Sequence, residues 1–273
     1  MKKSILFALV MILMLSACGG EAPDEAASPT EAGTEPVVSG ETEAATTEES
    51  EGGVAGSAGL CANPYYPVAV GVTQTYSGTG GPDGDYSFAM RISEVREDGF
   101  TLITEFDGLM LTHQWACLEE GLQPLEYAEG PSAVLTTEGS EARFSTHNVV
   151  GLLLPARISV GDTWTQTYDV SGTQSIPDMG LAETRGTISY AFEAVGEESV
   201  TVPAGTFTAL VIEANIAFDL EMTIEDLSIP SLFNSMGRSY YVEGVGWVKS
   251  VDRAEIFGVV TESTIELTDY SLP

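Results

Sequence analysis

Between Leu210 and Ile224 an apolar residue occupies every second position: Leu210, Ile212, Ala214, Ile216, Phe218, Leu220, Met222 and Ile224. Glu213, Asn215, Asp219, Glu221 and Thr223 lie between them. A two-residue period sends successive side chains to opposite faces of an extended chain, so this run is a half-buried β-strand. At roughly 15 residues it is far longer than the usual 5–6. A strand that long with one apolar face requires a strongly curved sheet or a partial barrel. Shorter runs repeat the pattern: Tyr86, Phe88, Met90 and Ile92; Phe100, Leu102 and Phe106; Leu109, Leu111, His113 and Trp115. Turn signals separate the runs at Gly78 to Gly84, Glu97-Asp98-Gly99, Asp107-Gly108, Glu138-Gly139 and Val195-Gly196-Glu197. No stretch of ten or more residues carries a helical period. Only Ser231 to Met236 offers one or two helical turns. The fold class is therefore all-β, an antiparallel curved sheet or half-barrel.

A weak internal echo divides this β region. Pro67-Val68-Ala69-Val70-Gly71-Val72-Thr73-Gln74-Thr75-Tyr76 opens the first part, and Val160-Gly161-Asp162-Thr163-Trp164-Thr165-Gln166-Thr167-Tyr168 opens the second. The reading is two tandem β-units, 59–150 and 151–273, packed separately or as one continuous curved sheet. Val202-Pro203-Ala204-Gly205-Thr206 reads as a tight turn between two strands, with proline fixing φ and glycine supplying a positive φ. Tyr240 to Lys249 reads as strand, glycine bulge, strand.

Ahead of the β region the chain changes character. Lys2 and Lys3 precede an unbroken apolar run from Ile5 to Leu15. That run is shorter than the roughly 20 residues a spanning helix needs, and it has the flanks of a signal peptide's apolar segment. It ends in Leu15-Ser16-Ala17-Cys18, followed by Gly19. Residues 19–58 are almost wholly Gly, Ala, Ser, Thr, Pro, Glu and Asp, with no Lys or Arg. Such a segment buries too little to offset its ordering entropy, so a disordered acidic tether of roughly 35 Å root-mean-square reach is expected.

These strings carry two resemblances. Leu15 to Cys18 resembles the lipobox of bacterial lipoproteins, which implies cleavage after residue 17 and lipidation of Cys18. Gly19 lacks the Asp that resembles an inner-membrane retention signal, which implies an outer or surface-facing leaflet in a two-membrane host. The ordered set YYPVAVG, VGDTWTQTY, VTVPAGTFTALVI and YYVEGVGWVK resembles an uncharacterised family of bacterial envelope lipoproteins and secreted domains. The match covers residues 63–251 and is clearest over 155–251. Gln74 stands where the opener's Trp is expected, and the first unit has no Pro-Ala-Gly-Thr-Phe turn. The resemblance implies a half-barrel like that of lipoprotein carriers and brings no activity with it.

With Cys18 taken by lipid, Cys61 and Cys117 remain. Export implies oxidising conditions, so a structural disulfide is expected, stabilising by about 4 kcal/mol in the chain-entropy model. A free or redox-active pair is the alternative, although no Cys-x-x-Cys occurs.

The chemistry-bearing residues are sparse. Acids number 41 against 10 Lys plus Arg, for a formal net charge of −31. That repels phosphate backbones, so nucleic-acid binding is excluded. The two His, His113 and His147, cannot form a His-rich metal site, and no cofactor signature appears. No Gly-x-Ser-x-Gly elbow is present, and the glycine-rich Gly78 to Asp85 lacks a phosphate-loop Lys. Asp83 and Asp85 match only a fragment of a calcium loop, and Glu221, Glu225 and Asp226 read as a solvated hairpin tip. Two apolar segments stand outside the alternation: Ile176 to Leu181, with Met179, and Ile229 to Met236, with Leu232 and Phe233. Loops of this kind plug the open end of a half-barrel or act as lids over a hydrophobic hollow. Trp115, Met179, Leu181, Leu232, Phe233 and Met236 are thus the candidate ligand contacts. The functional expectation is a non-enzymatic, membrane-anchored envelope lipoprotein binding a hydrophobic ligand. The alternative is an interaction or scaffold module for another envelope protein.

Overall fold

The computed structural model describes residues 59–81, 84–106, 108–127, 142–176, 180–225, 227–256 and 259–273. The signal-like segment, Cys18, the tether and Met179 lie outside them, as do Asp83, Asp226 and the Glu138-Gly139 turn. Thirteen strands form the fold: β1 (Thr73–Gly81), β2 (Gly84–Val95), β3 (Gly99–Phe106), β4 (Leu109–Leu118), β5 (Gly121–Pro124), β6 (Ala142–Gly151), β7 (Leu154–Pro155), β8 (Thr163–Ile176), β9 (Gly180–Val202), β10 (Gly205–Ile224), β11 (Leu227–Val242), β12 (Gly246–Ile256) and β13 (Val259–Ser271). All belong to one open antiparallel sheet in the order β6-β8-β9-β10-β11-β12-β13-β1-β2-β3-β4-β5-β7.

Two meanders, β1 to β5 and β8 to β13, are joined where the first strand pairs with the last, Thr73 opposite Ser271. The echo between the openers is structural as well as sequential. Gly71 and Gly161 adopt φ of 95° and 94°. Each donates its N–H across the sheet, to the carbonyls of Ile92 and Ala194 respectively. Ile92 and Ala194 in turn donate to Val72 and Asp162. Around residue 150 the chain crosses between the outer edges: β6 pairs with β8, whereas β7 pairs with β5.

The curl of the sheet follows from contacts between strands that are not neighbours. The Pro203-Ala204 turn of the β9–β10 hairpin, with Gly205 at φ 146°, donates the Ala204 N–H to the Leu267 carbonyl on β13, past the intervening β11 and β12. The two edge strands β6 and β7 are separated in the chain by Leu152 and Leu153 alone, so the edges meet there. The Gln123 amide donates to the Gly151 carbonyl at 2.6 Å, and the Tyr127 N–H donates to Thr146 Oγ1 at 2.8 Å. The concave side is filled by Tyr76, Phe88, Phe100, Trp115, Leu122, Leu154, Val248 and Leu267. Cys61 and Cys117 form a disulfide with Cα atoms 4.9 Å apart, pinning the segment before β1 to β4.

Three local expectations are corrected. Ser231 to Met236 is the middle of β11, paired residue for residue with β10, because its alternation fits the facing strand. Val195 to Glu197 is a bulge inside the 23-residue β9, opposite Val211 and Ile212, and makes no turn. Glu243 to Val245 forms a hairpin loop, with Gly244 at φ 75° and Gly246 at φ 101°, and the bulge sits beside it at Tyr240 and Tyr241.

Candidate functional site: a hollow on the inner face

The inner face of the second meander carries one row of directly paired residues: Trp164 (β8), Phe192 (β9), Ala214 (β10), Gly237 (β11) and Asp252 (β12). Two bulky rings are followed by two of the smallest residues. Cross-strand neighbours lie about 5 Å apart, so missing side chains at adjacent positions leave a depression. The flanking rows repeat the shortage on the same two strands, with Ser239 beside Ser250 and Ser235 beside Ala254. The result is a hollow of about 120 Å³. Leu153, Leu154, Phe192, Ile212 and Ile216 wall it, and Tyr190, Tyr241, Ser239 and Asp252 supply polar atoms. A cavity near 150 Å³ accepts a benzene ring, so this one is the size of a ring or a short branched alkyl group. Beyond Ile216 the inner face continues past Phe218 and Phe233, whose rings stack at 4.2 Å.

Asp252 is the notable group here. Burial pushes its carboxyl pKa up, and the Ser250 hydroxyl, donating to Oδ2 at 3.1 Å, works in the opposite direction. Gly237 is what gives the carboxylate room, since a Cβ there would lie 2.7 Å from Asp252 Oδ1. Tyr86 reaches toward the same region across Gly78, where a Cβ would lie 2.1 Å from its ring. Its phenol pKa is raised first by burial and then by the charge of Asp252.

None of the described residues expected to meet a ligand lines the hollow. Trp115 is 1% exposed and lies 5.2 Å from Phe100 and 5.0 Å from Tyr66, so it is a core residue with no face for a ligand. Leu181, Leu232 and Met236 are not on lids. They alternate outward on β9 and β11 and are 57%, 71% and 57% exposed. Phe233 points inward, opposite Phe218 and beyond the hollow. The small-residue floor was overlooked, although its signal is present: Ser235, Gly237 and Ser239 interrupt the apolar positions of one strand, and Ser250, Asp252 and Ala254 those of the next.

The two imidazoles are far from this hollow's chemistry. His113 is 3% exposed on β4, its pKa is lowered by burial, and neither ring nitrogen has a partner among the described residues. His147 Nε2 lies 2.6 Å from Ser171 Oγ at an exposed position. Ser171 borders an open groove of about 440 Å³, larger than the hollow, with Ser145, Thr173, Glu183, Arg185 and Thr223. A nucleophilic serine also needs a third group to orient its imidazole, and no contact given for His147 among the described residues supplies one. Among the described residues no three His, Cys, Asp or Glu are placed to hold a metal ion.

No family model matches the chain, and no curated protein does. Three solved structures resemble it. One is a protein named as a lipoprotein from Parabacteroides distasonis ATCC 8503, with TM-score 0.50 and 14% identity over 77% of this chain and 99% of that one. A second is an exported protein with a YmcC-like fold from Bacteroides fragilis NCTC 9343, with TM-score 0.45 and 15% identity over 77% of this chain and 99% of that one. The third is the hypothetical lipoprotein YmcC from Escherichia coli K12, with TM-score 0.33 and 12% identity over 73% of this chain and 85% of that one. The likeness to the Parabacteroides protein is one of fold: this chain carries the same kind of open, curled antiparallel sheet.

Proposed function

We propose that the chain is an envelope lipoprotein, lipidated at Cys18 and held off the membrane by residues 19–58, whose curled sheet takes a small hydrophobic ligand into its inner hollow. Export and anchoring are supported by the Lys2-Lys3 start, the Ile5 to Leu15 run and the Leu-Ser-Ala-Cys string. The disulfide agrees with an oxidising compartment. So does the name of the Parabacteroides protein that shares the fold. The observation that carries the ligand reading is the Ala214–Gly237 gap in an otherwise bulky row, which keeps about 120 Å³ unfilled between apolar walls. Protein interiors otherwise pack to the density of organic crystals.

Native mass spectrometry of the full chain, purified from envelopes, tests this. The reading predicts an adduct that leaves on gentle activation and is absent from an Ala214→Leu variant. A clean mass for the unaltered chain would overturn it. One observation favours a second reading, docking of another envelope protein: Leu232 and Met236 stand exposed on the outer face of β11. Under that reading Leu232→Asp abolishes capture of a partner and leaves the hollow's occupancy unchanged.

A further inference from the structure

We infer that the ligand is a small organic cation, a protonated amine on a ring-sized apolar body, whose ammonium group meets Asp252 while the body fills the hollow beside Ala214 and Gly237. This rests on the ligand reading above and names the chemical class. The walls and volume call for an apolar body no larger than a ring. The floor presents one carboxyl group, to which the Ser250 hydroxyl donates. The described cations on β11 and β12 are directed away from the hollow: Arg238 pairs with Glu198 and Glu213, Lys249 pairs with Glu266, and the exposed Arg253 alternates to the opposite face from Asp252. A carboxylate half-buried against apolar walls is costly unless a positive group accompanies it, and no ion pair among the described residues supplies one. Burial has the effect expected of such a position, holding the carboxyl above its usual range. The field of the whole chain points the same way, because a net charge of −31 concentrates organic cations and repels carboxylates. A charge-assisted hydrogen bond is roughly twice as strong as a neutral one, so the amine should be selected over its neutral isostere.

The test is isothermal titration of the full chain in detergent micelles, with micelles alone as the blank, using benzylamine, benzyl alcohol and benzoate at pH 7. The expected result is benzylamine binding at least tenfold more tightly than benzyl alcohol, about 1.4 kcal/mol, with benzoate weaker than both. Asp252→Asn should remove that preference and leave benzyl alcohol within about twofold of its original affinity. Gly237→Ala, which pushes the carboxylate aside without removing it, should weaken benzylamine several-fold and covers the case in which the asparagine variant fails to fold. Equal affinity for amine and alcohol in the unaltered chain would overturn the cation assignment while sparing the hydrophobic hollow. Binding of neither probe would overturn both.

Discussion

Replacing Ala214 by leucine should make the protein more stable, against the usual effect of enlarging an interior residue. Ala214 faces Gly237 on one side and Phe192 on the other, across a hollow of about 120 Å³. Leucine adds three carbons. At roughly 0.8 kcal/mol per buried methylene the gain has a ceiling of about 2.4 kcal/mol. Fixing the leucine rotamer costs roughly 0.5–1 kcal/mol, which leaves a net gain of about 1.5–2 kcal/mol. A domain of this size shifts its melting temperature by about 2–4 °C per kcal/mol, so calorimetry should record a rise of about 3–8 °C. Overpacking a site without free space costs about 1–3 kcal/mol. A fall of several degrees in the variant would therefore refute the hollow and the reasoning built on the Ala214–Gly237 gap.

The Cys61–Cys117 bridge closes a separation of 56 residues, so its loss through paired Cys→Ser changes should cost about 4 kcal/mol, read from melting with and without reductant; a change below about 1 kcal/mol would remove it as a structural staple. Burial lowers the pKa of His113, so the unfolded chain, titrating at its ordinary 6.5, binds the extra proton as pH falls. Stability should accordingly decline below about pH 6.5, with the decline ending below the folded pKa, and His113→Leu should flatten that part of a denaturant-midpoint profile; an unchanged slope would assign it to other groups. Gly186 adopts φ 153° on β9, and a Cβ there would lie 2.0 Å from the Asp219 carbonyl oxygen. Gly186→Ala should therefore destabilise by about 2 kcal/mol or more, while Gly161→Ala, at φ 94° with open space, should cost less; equal costs would show that the close approach is relieved elsewhere.

The strands were legible because alternation is a local property. Leu210 to Ile224 announces one apolar face by itself, and β10 (Gly205–Ile224) contains that run entire. The matched openers at Gly71 and Gly161 were legible for the same reason, since each turn is fixed by its own glycine. The pairing of β1 with β13 and the chain's jump between edges after Gly151 were not, because nothing in a strand's own pattern names its distant neighbour. The segment Ile229 to Met236 reads as a loop in sequence because Pro230 and Asn234 are poor strand formers, yet it pairs along β10. Beside β10 both are tolerated, since β11 pairs with β12 only from Ser235 onward and Pro230 lies on an open edge. The hollow is legible only when β9 to β12 are aligned: Ala214, Gly237 and Asp252 are unremarkable in their own strands and become a site through their shared row.

In a crystal of the protein soaked with bromobenzene, bromine's anomalous signal locates the bound ring without prior assumption. A peak is expected between Phe192, Ala214 and Gly237, within reach of Ile212 and Ile216 and lost in Ala214→Leu. A peak confined to the outer face near Leu232 and Met236, with the inner hollow empty, would contradict the proposed ligand site.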